Sequence, residues 1–252
     1  MSDVPFATGR PPNVEAGAAS GVHSRRSLPA AGEVIEASTT HSIARCPQER
    51  LHHPPAFGTF VKVVPGAATS PAADAEARGD DVDPFADPTP SSLPPGTPDG
   101  TLYALVYQAT TGCVEQGRRP AAYGLSEAEL RDQQPQIFEL LCTEFAARHV
   151  GFAQEERVRP YLPPRPPNLH AFVVECSPVE VCALTDSLDF LRALLSTPGE
   201  AGPDELIAAC LRHAYACRDR DFAFLVRAGK LLANLLRDDP ERLAALLRKL
   251  EP

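Results

Sequence analysis

The chain has 252 residues with 43% apolar content, enough for one large or two small domains with a real core. Its formal net charge of −9 argues against a general nucleic-acid coat protein, which needs a basic footprint. No apolar run approaches the roughly 20 residues that span a bilayer, so no membrane contact is expected.

Proline is abundant, with 27 residues against an average usage of roughly 5%, while aromatics make up 6% and Trp is absent. Turns, straps and extended segments should therefore be common. The seven cysteines are odd in number, irregularly spaced and free of any C-x-x-C pair. Several lie in apolar runs, where free cysteine acts as a small hydrophobe. That usage fits a reducing compartment, and the first residues lack the pattern of a secretory signal. A cytoplasmic protein is expected.

Residues 1–31 are rich in Ala, Gly, Pro and Ser without a hydrophobic period, and are expected to be a disordered tail. The run Glu33–Cys46 carries Val34, Ile35, Thr39, Thr40 and Ile43 and reads as two strands or one bent strand. His52 and His53 follow in a polar connection. Adjacent histidines bind metals only with further ligands at fitting spacing, and none is present; no metal or cofactor is expected.

Phe57–Val64 alternates, with Phe57, Thr59, Val61 and Val63 on one face and Gly58, Phe60, Lys62 and Val64 on the other. Gly58 suits a bulge or a close backbone approach. From Gly66 to Gly100 the composition turns Pro/Ala/Asp-rich, with seven acidic residues against one arginine, a net −6. This reads as a disordered acidic insertion in a loop, tolerable because loop closure costs grow only logarithmically. Leu102–Gln108 then resumes a strand, with apolar residues on both faces, as expected for burial on both sides.

Thr110–Pro120 reads as a turn carrying Arg118 and Arg119. Leu125–Ala147 reads as helical: Ser126 and Glu129 have capping-box spacing, and Pro135 breaks or restarts the helix. Val150-Gly151-Phe152 is a candidate return to the sheet. Tyr161–Pro167, Tyr-Leu-Pro-Pro-Arg-Pro-Pro, favours polyproline II. It is either a stiff strap into the next strand, Ala171–Cys176, or a docking element for a polyproline-binding partner. The remainder, 177–252, is helical. Ser177-Pro178, Pro203-Asp204-Glu205 and Asp239-Pro240-Glu241 are helix starts, and leucine stripes follow each. The fold class expected is α+β: a small antiparallel β-barrel over 32–176, holding the acidic insertion at 66–100 and a helix near 125–147, then a C-terminal helical bundle.

The strands Gly32–Thr40, Pro55–Val63 and Leu102–Tyr107 resemble those of the HAS-barrel. This small barrel stands at the N-termini of HerA-type DNA-translocating ATPases and of the catalytic-headpiece subunits of rotary ATP synthase. With Gln134–Phe138, Thr143-Glu144-Phe145 and the strap Tyr161–Pro167, the chain looks most like a stand-alone bacterial HAS-barrel family of cyanobacterial type. The resemblance covers roughly 32–64 and 101–250. It implies a barrel used for assembly, with a protein partner, in some relatives an ATPase or nuclease. The motor is missing here: Gly229-Lys230 is followed by Leu231, with Phe224 in place of the first glycine of a phosphate loop.

The expected function is a non-enzymatic protein-interaction module. The alternative is an accessory factor of a DNA-processing ATPase or nuclease, without direct nucleic-acid contact. Candidate contact residues are Arg118, Arg119, Tyr161 and Arg165, since Arg and Tyr are favoured interface anchors. The two turn arginines can equally be solvated, and Tyr161 can be core. No G-x-S-x-G elbow surrounds a serine, so no catalytic residue is assigned.

Overall fold

The computed structural model describes residues 30–65, 93–115, 117–196 and 202–250. The expected tail (1–29) and most of the acidic insertion (66–92) lie outside the described residues. Seven strands occur in chain order: β1 (Gly32–Ala37), β2 (His41–Arg45), β3 (Phe60–Val63), β4 (Leu102–Cys113), β5 (Leu141–Gln154), β6 (Arg157–Arg159) and β7 (Phe172–Glu175). The helices are α1 (Glu127–Gln133), α2 (Gln136–Glu139), α3 (Pro178–Leu184), α4 (Phe190–Leu195), α5 (Pro203–Cys217), α6 (Phe222–Leu235) and α7 (Pro240–Arg248).

The strands run β2-β1-β7-β3-β4-β5, and pairing of β2 with β5 closes them into a six-stranded antiparallel barrel. Strand β6 extends the sheet as a hairpin on the far end of β5. Closure removes most open edges, which otherwise template unwanted pairing. A six-stranded barrel is narrow, so its interior takes small side chains. Val34, Ala44, Val61, Ala104 and Ala147 fill it, with Leu102 and Phe145 as the larger members. Gly32 is obligatory there: a Cβ would sit 2.8 Å from both the Arg45 carbonyl and the Phe145 ring.

The outer face of β3, β4 and β5 makes a second core. Phe60, Tyr103, Leu105 and Val150 point away from the interior and join Leu191, Ile207, Leu211 and Phe224 of the helices. Phe60 lies edge-on to Phe190, with centroids 5.9 Å apart, and stacks on His213. Helix α5 is central to this layer and touches α3, α4, α6 and α7. Gly58 meets it closely: with φ +82°, its hypothetical Cβ lies 2.4 Å from the Ala209 Cβ. The helical part thus covers one wall of the barrel.

Several expectations are corrected. The helical reading of Leu125–Ala147 holds only to Glu139, as α1 and α2; Leu141–Gln154 is the longest strand. Phe145 and Ala147 point into the barrel while Val150 joins the outer core. Apolar residues on both faces imitated a helical stripe, and ladders to β4 and β2 on either flank favoured the strand. The turn expected from Thr110 begins after Cys113. Strand β3 starts at Phe60, and Phe57 is exposed. Residues Leu93–Gly100, assigned to the disordered insertion, form two turns against the barrel, with Leu93 buried and its N–H donating to the Glu156 carbonyl. Order also begins before Gly32, since the Ala31 N–H pairs with Val173.

Candidate interaction site

The strap 160–168 links β6 to β7 across one end of the barrel. Prolines fix its backbone and remove donors, so it crosses without joining the sheet. It ends in a tight turn where Ala171 N–H donates to the Asn168 carbonyl, and His170, at φ +65°, bonds by its N–H to Val34. Pro163 is buried, whereas Tyr161, Leu162, Arg165 and Leu169 are exposed.

Between strap and barrel lies a groove of about 440 Å³. Its apolar lining comes from Val63, Leu102 and Phe152 at the ends of three strands, with Pro163 and Pro164 opposite. Arg165, Asp99, Gln154 and Asn168 supply its polar lining. The size falls within the range of ligand pockets, roughly 300–1,000 Å³. The Phe152 ring is met edge-on by Tyr161, with centroids 5.4 Å apart.

The groove wall is held by a two-residue β5–β6 turn. Glu155 and Glu156 both have positive φ (52° and 55°), as a type I′ hairpin turn requires. Asp99 Oδ1 accepts from Glu155 N–H at 2.9 Å, tying the Leu93–Gly100 turns to this hairpin.

The four sequence-derived contact residues fall into two pairs. Tyr161 and Arg165 belong to the strap, at the Leu102 end of β4. Arg118 and Arg119 follow the Cys113 end of the same strand. Twelve residues of strand separate the ends, roughly 35 Å at 3.3 Å per residue. Arg118 is exposed and pairs with Glu115 at 3.0 Å, and Arg119 is exposed. Tyr161, for which a core position was open, is 57% exposed.

Two other polar clusters escaped the sequence reading. His149 of β5 lies 3.1 Å by Nδ1 from the Thr39 carbonyl and 3.3 Å by Nε2 from Ser42 Oγ. A carbonyl only accepts, so Nδ1 carries the proton and the Ser42 hydroxyl donates to Nε2. A serine hydroxyl on a histidine is the start of a nucleophile arrangement. Here both residues are 3% exposed, so the pair satisfies buried polar groups instead of meeting a substrate. Burial pushes the His149 pKa down to about 4.

The second cluster is Lys62 with Glu180, at 2.6 Å across the barrel–helix junction. Glu144, also on β5, pairs with Arg45 at 2.7 Å. His52 sits edge-on to Phe138 and 4.0 Å from Glu127. Among the described residues no group of three or more His, Cys, Asp or Glu is arranged to hold a metal ion. Gly229 and Lys230 lie inside α6, where the helix uses the backbone amides. No helix of the described residues is long and apolar enough to cross a membrane. No protein-family model matches the chain, and no curated protein matches it either.

Proposed function

We propose that this chain is a non-enzymatic assembly module, built on a HAS-type barrel, that receives a protein partner at the strap groove. The observation that carries this reading is the groove itself: an apolar floor at the barrel mouth, roofed by prolines and flanked by exposed Tyr161 and Arg165. Large aromatic and guanidinium side chains beside an apolar pocket are the usual composition of interface anchors. The resemblance of the strands and strap to HAS-barrel proteins supports the same reading, because those barrels hold subunits together. An accessory role beside a DNA-processing ATPase or nuclease is one form this assembly can take.

The experiment is affinity purification of the tagged chain from its own cells, beside a Tyr161→Ala/Arg165→Ala variant of the same fold. A defined partner, retained by the parent and lost by the variant, is the expected result. An ATPase or nuclease among the retained proteins would identify the accessory role. Equal retention by both chains would remove the strap groove as the contact.

A further inference from the structure

Strand β4 outruns its neighbour on one side. Strand β3 flanks it from Leu102 to Leu105, and the Gly58 N–H and Thr59 carbonyl extend that pairing to Val106. Beyond Val106, β5 alone pairs with β4 among the described residues, as far as Cys113. The other edge of this stretch is open.

The ladder fixes which groups that edge presents. In an antiparallel pair, the N–H and C=O of one residue point to the same side, and those of the next residue to the other. The Val114 N–H donates to the Leu140 carbonyl at 2.9 Å, on the β5 side. Counting back in register, Gly112 and Thr110 also face β5. Cys113, Thr111 and Ala109 therefore face outward. The opposite strand agrees: Thr143, across from Thr111, turns its carbonyl away from β4 to accept from the Cys46 N–H at 2.8 Å. Ala109, Thr110 and Thr111 are exposed.

Open edges are normally guarded by charge or proline, which discourage pairing with another chain. Strand β6, whose outer edge is also open, follows this rule with Arg157, Arg159 and then Pro160. The β4 edge does not. Residues 108–114 are Gln-Ala-Thr-Thr-Gly-Cys-Val, without charge or proline, and Thr110 and Thr111 favour extended backbone. The edge also matches itself. A two-fold axis at Thr111 sets Thr111 against Thr111 of a second copy and Ala109 against Cys113, so every outward residue meets an outward residue. No charge faces its own image there, as it would across a β6 pair.

We infer that β4 pairs edge to edge, antiparallel, with β4 of a second copy of this chain, through Ala109, Thr111 and Cys113. Strand β5 occupies the other edge of β4, so association closes at two chains and does not propagate. The contact is short, which places it among weak, reversible interfaces. The strap groove lies at the opposite, Leu102 end of β4, so this contact is separate from the partner binding proposed above and does not depend on it.

The test is sedimentation of the full chain from about 1 μM to about 1 mM, the range in which a weak contact titrates. Ala109→Pro and Thr111→Lys run in parallel. Ala109→Pro removes an outward N–H that bonds to no strand in the single chain. Thr111→Lys sets like charges across the axis and keeps every backbone group. The parent should pass from monomer to dimer, and both variants should dimerise about tenfold more weakly or not at all. Hydrogen exchange at the two ends of the range locates the contact. The amides of Ala109, Thr111 and Cys113 should gain protection with concentration, while those of Thr110 and Gly112, bonded to β5, should be protected throughout. A parent that stays monomeric would overturn the inference. So would a dimer untouched by either variant, which would use another surface. Protection of the three outward amides that does not change with concentration would show the edge already covered within one chain, and would overturn it as well.

Discussion

Lys62 on the barrel wall and Glu180 at the start of α3 meet at 2.6 Å, and Glu180 is only 2% exposed. The same carboxylate caps its helix, its second oxygen accepting from the Ser177 N–H at 2.9 Å. One side chain therefore caps the start of α3 and fastens it to β3. Removing one partner of a buried pair strands the other charge, at a cost of about 3–5 kcal/mol. Lys62→Met should destabilise the chain by about 3 kcal/mol, read from the urea midpoint. Adding Glu180→Gln should recover most of the loss, because the amide removes the stranded charge and its oxygen can still cap Ser177. Additive losses in the double variant would show that the two residues act separately.

Gly58 is held by two constraints that can be measured apart. Its φ of +82° disfavours any L side chain, and α5 occupies the Cβ position. Gly96 has a similar φ, +79°, with nothing within 4 Å of its Cβ position. Gly96→Ala should cost about 1–2 kcal/mol from the backbone alone. Gly58→Ala should add a packing penalty of about 1–3 kcal/mol. Equal thermal shifts for the two variants would mean that the helix layer yields at Ala209.

The Glu155-Glu156 turn adopts a left-handed backbone at both positions, and Asn-Gly suits that geometry better. Glu155→Asn/Glu156→Gly should stabilise the hairpin by about 1–2 kcal/mol. The bond from the 155 N–H to Asp99 is a backbone bond and survives. The exposed pair of Glu155 with Arg159, at 3.7 Å, is lost with little effect. A rise in melting temperature of about 3–6 °C is expected for a body of this size. An unchanged or lower value would show that the carboxylates, and not the backbone, govern this corner.

Features encoded by a few adjacent residues were legible in the sequence. The caps at Ser126 and Ser177 form with Glu129 and Glu180. The two faces of Leu102–Tyr107 divide as read, Leu102 and Ala104 inward and Tyr103 and Leu105 to the helices. Gly58 marks a close approach, one of the two uses its type suggested. Strand β5 was hidden because burial on both sides erased its alternation. Lys62 and Glu180 lie 118 positions apart, and only the packing of α3 on β3 brings them together. The strap was visible from its prolines. The groove beneath it was not, because Val63, Leu102 and Phe152 become neighbours only through strand register.

His149 gives the fold a dependence on pH. Burial lowers its pKa from the usual 6.5 to about 4, and Nε2 must stay unprotonated to accept from Ser42. The unfolded chain binds a proton at this site near pH 6.5 and the folded chain only near 4, so stability rises with pH between these values. The full contribution is present above pH 6.5 and is lost progressively as pH falls towards 4. A difference of this size corresponds to about 3 kcal/mol. His213, stacked on Phe60, is shifted down by burial as well and steepens the same slope. Chemical unfolding from pH 7.5 to 4.0 should show a falling midpoint, with most of the change below pH 6.5. His149→Gln cannot titrate: it should lose stability at pH 7.5 through imperfect packing, yet show a shallower decline towards pH 4. Parallel curves for parent and variant would place the acid sensitivity elsewhere, with His213→Gln the next chain to measure.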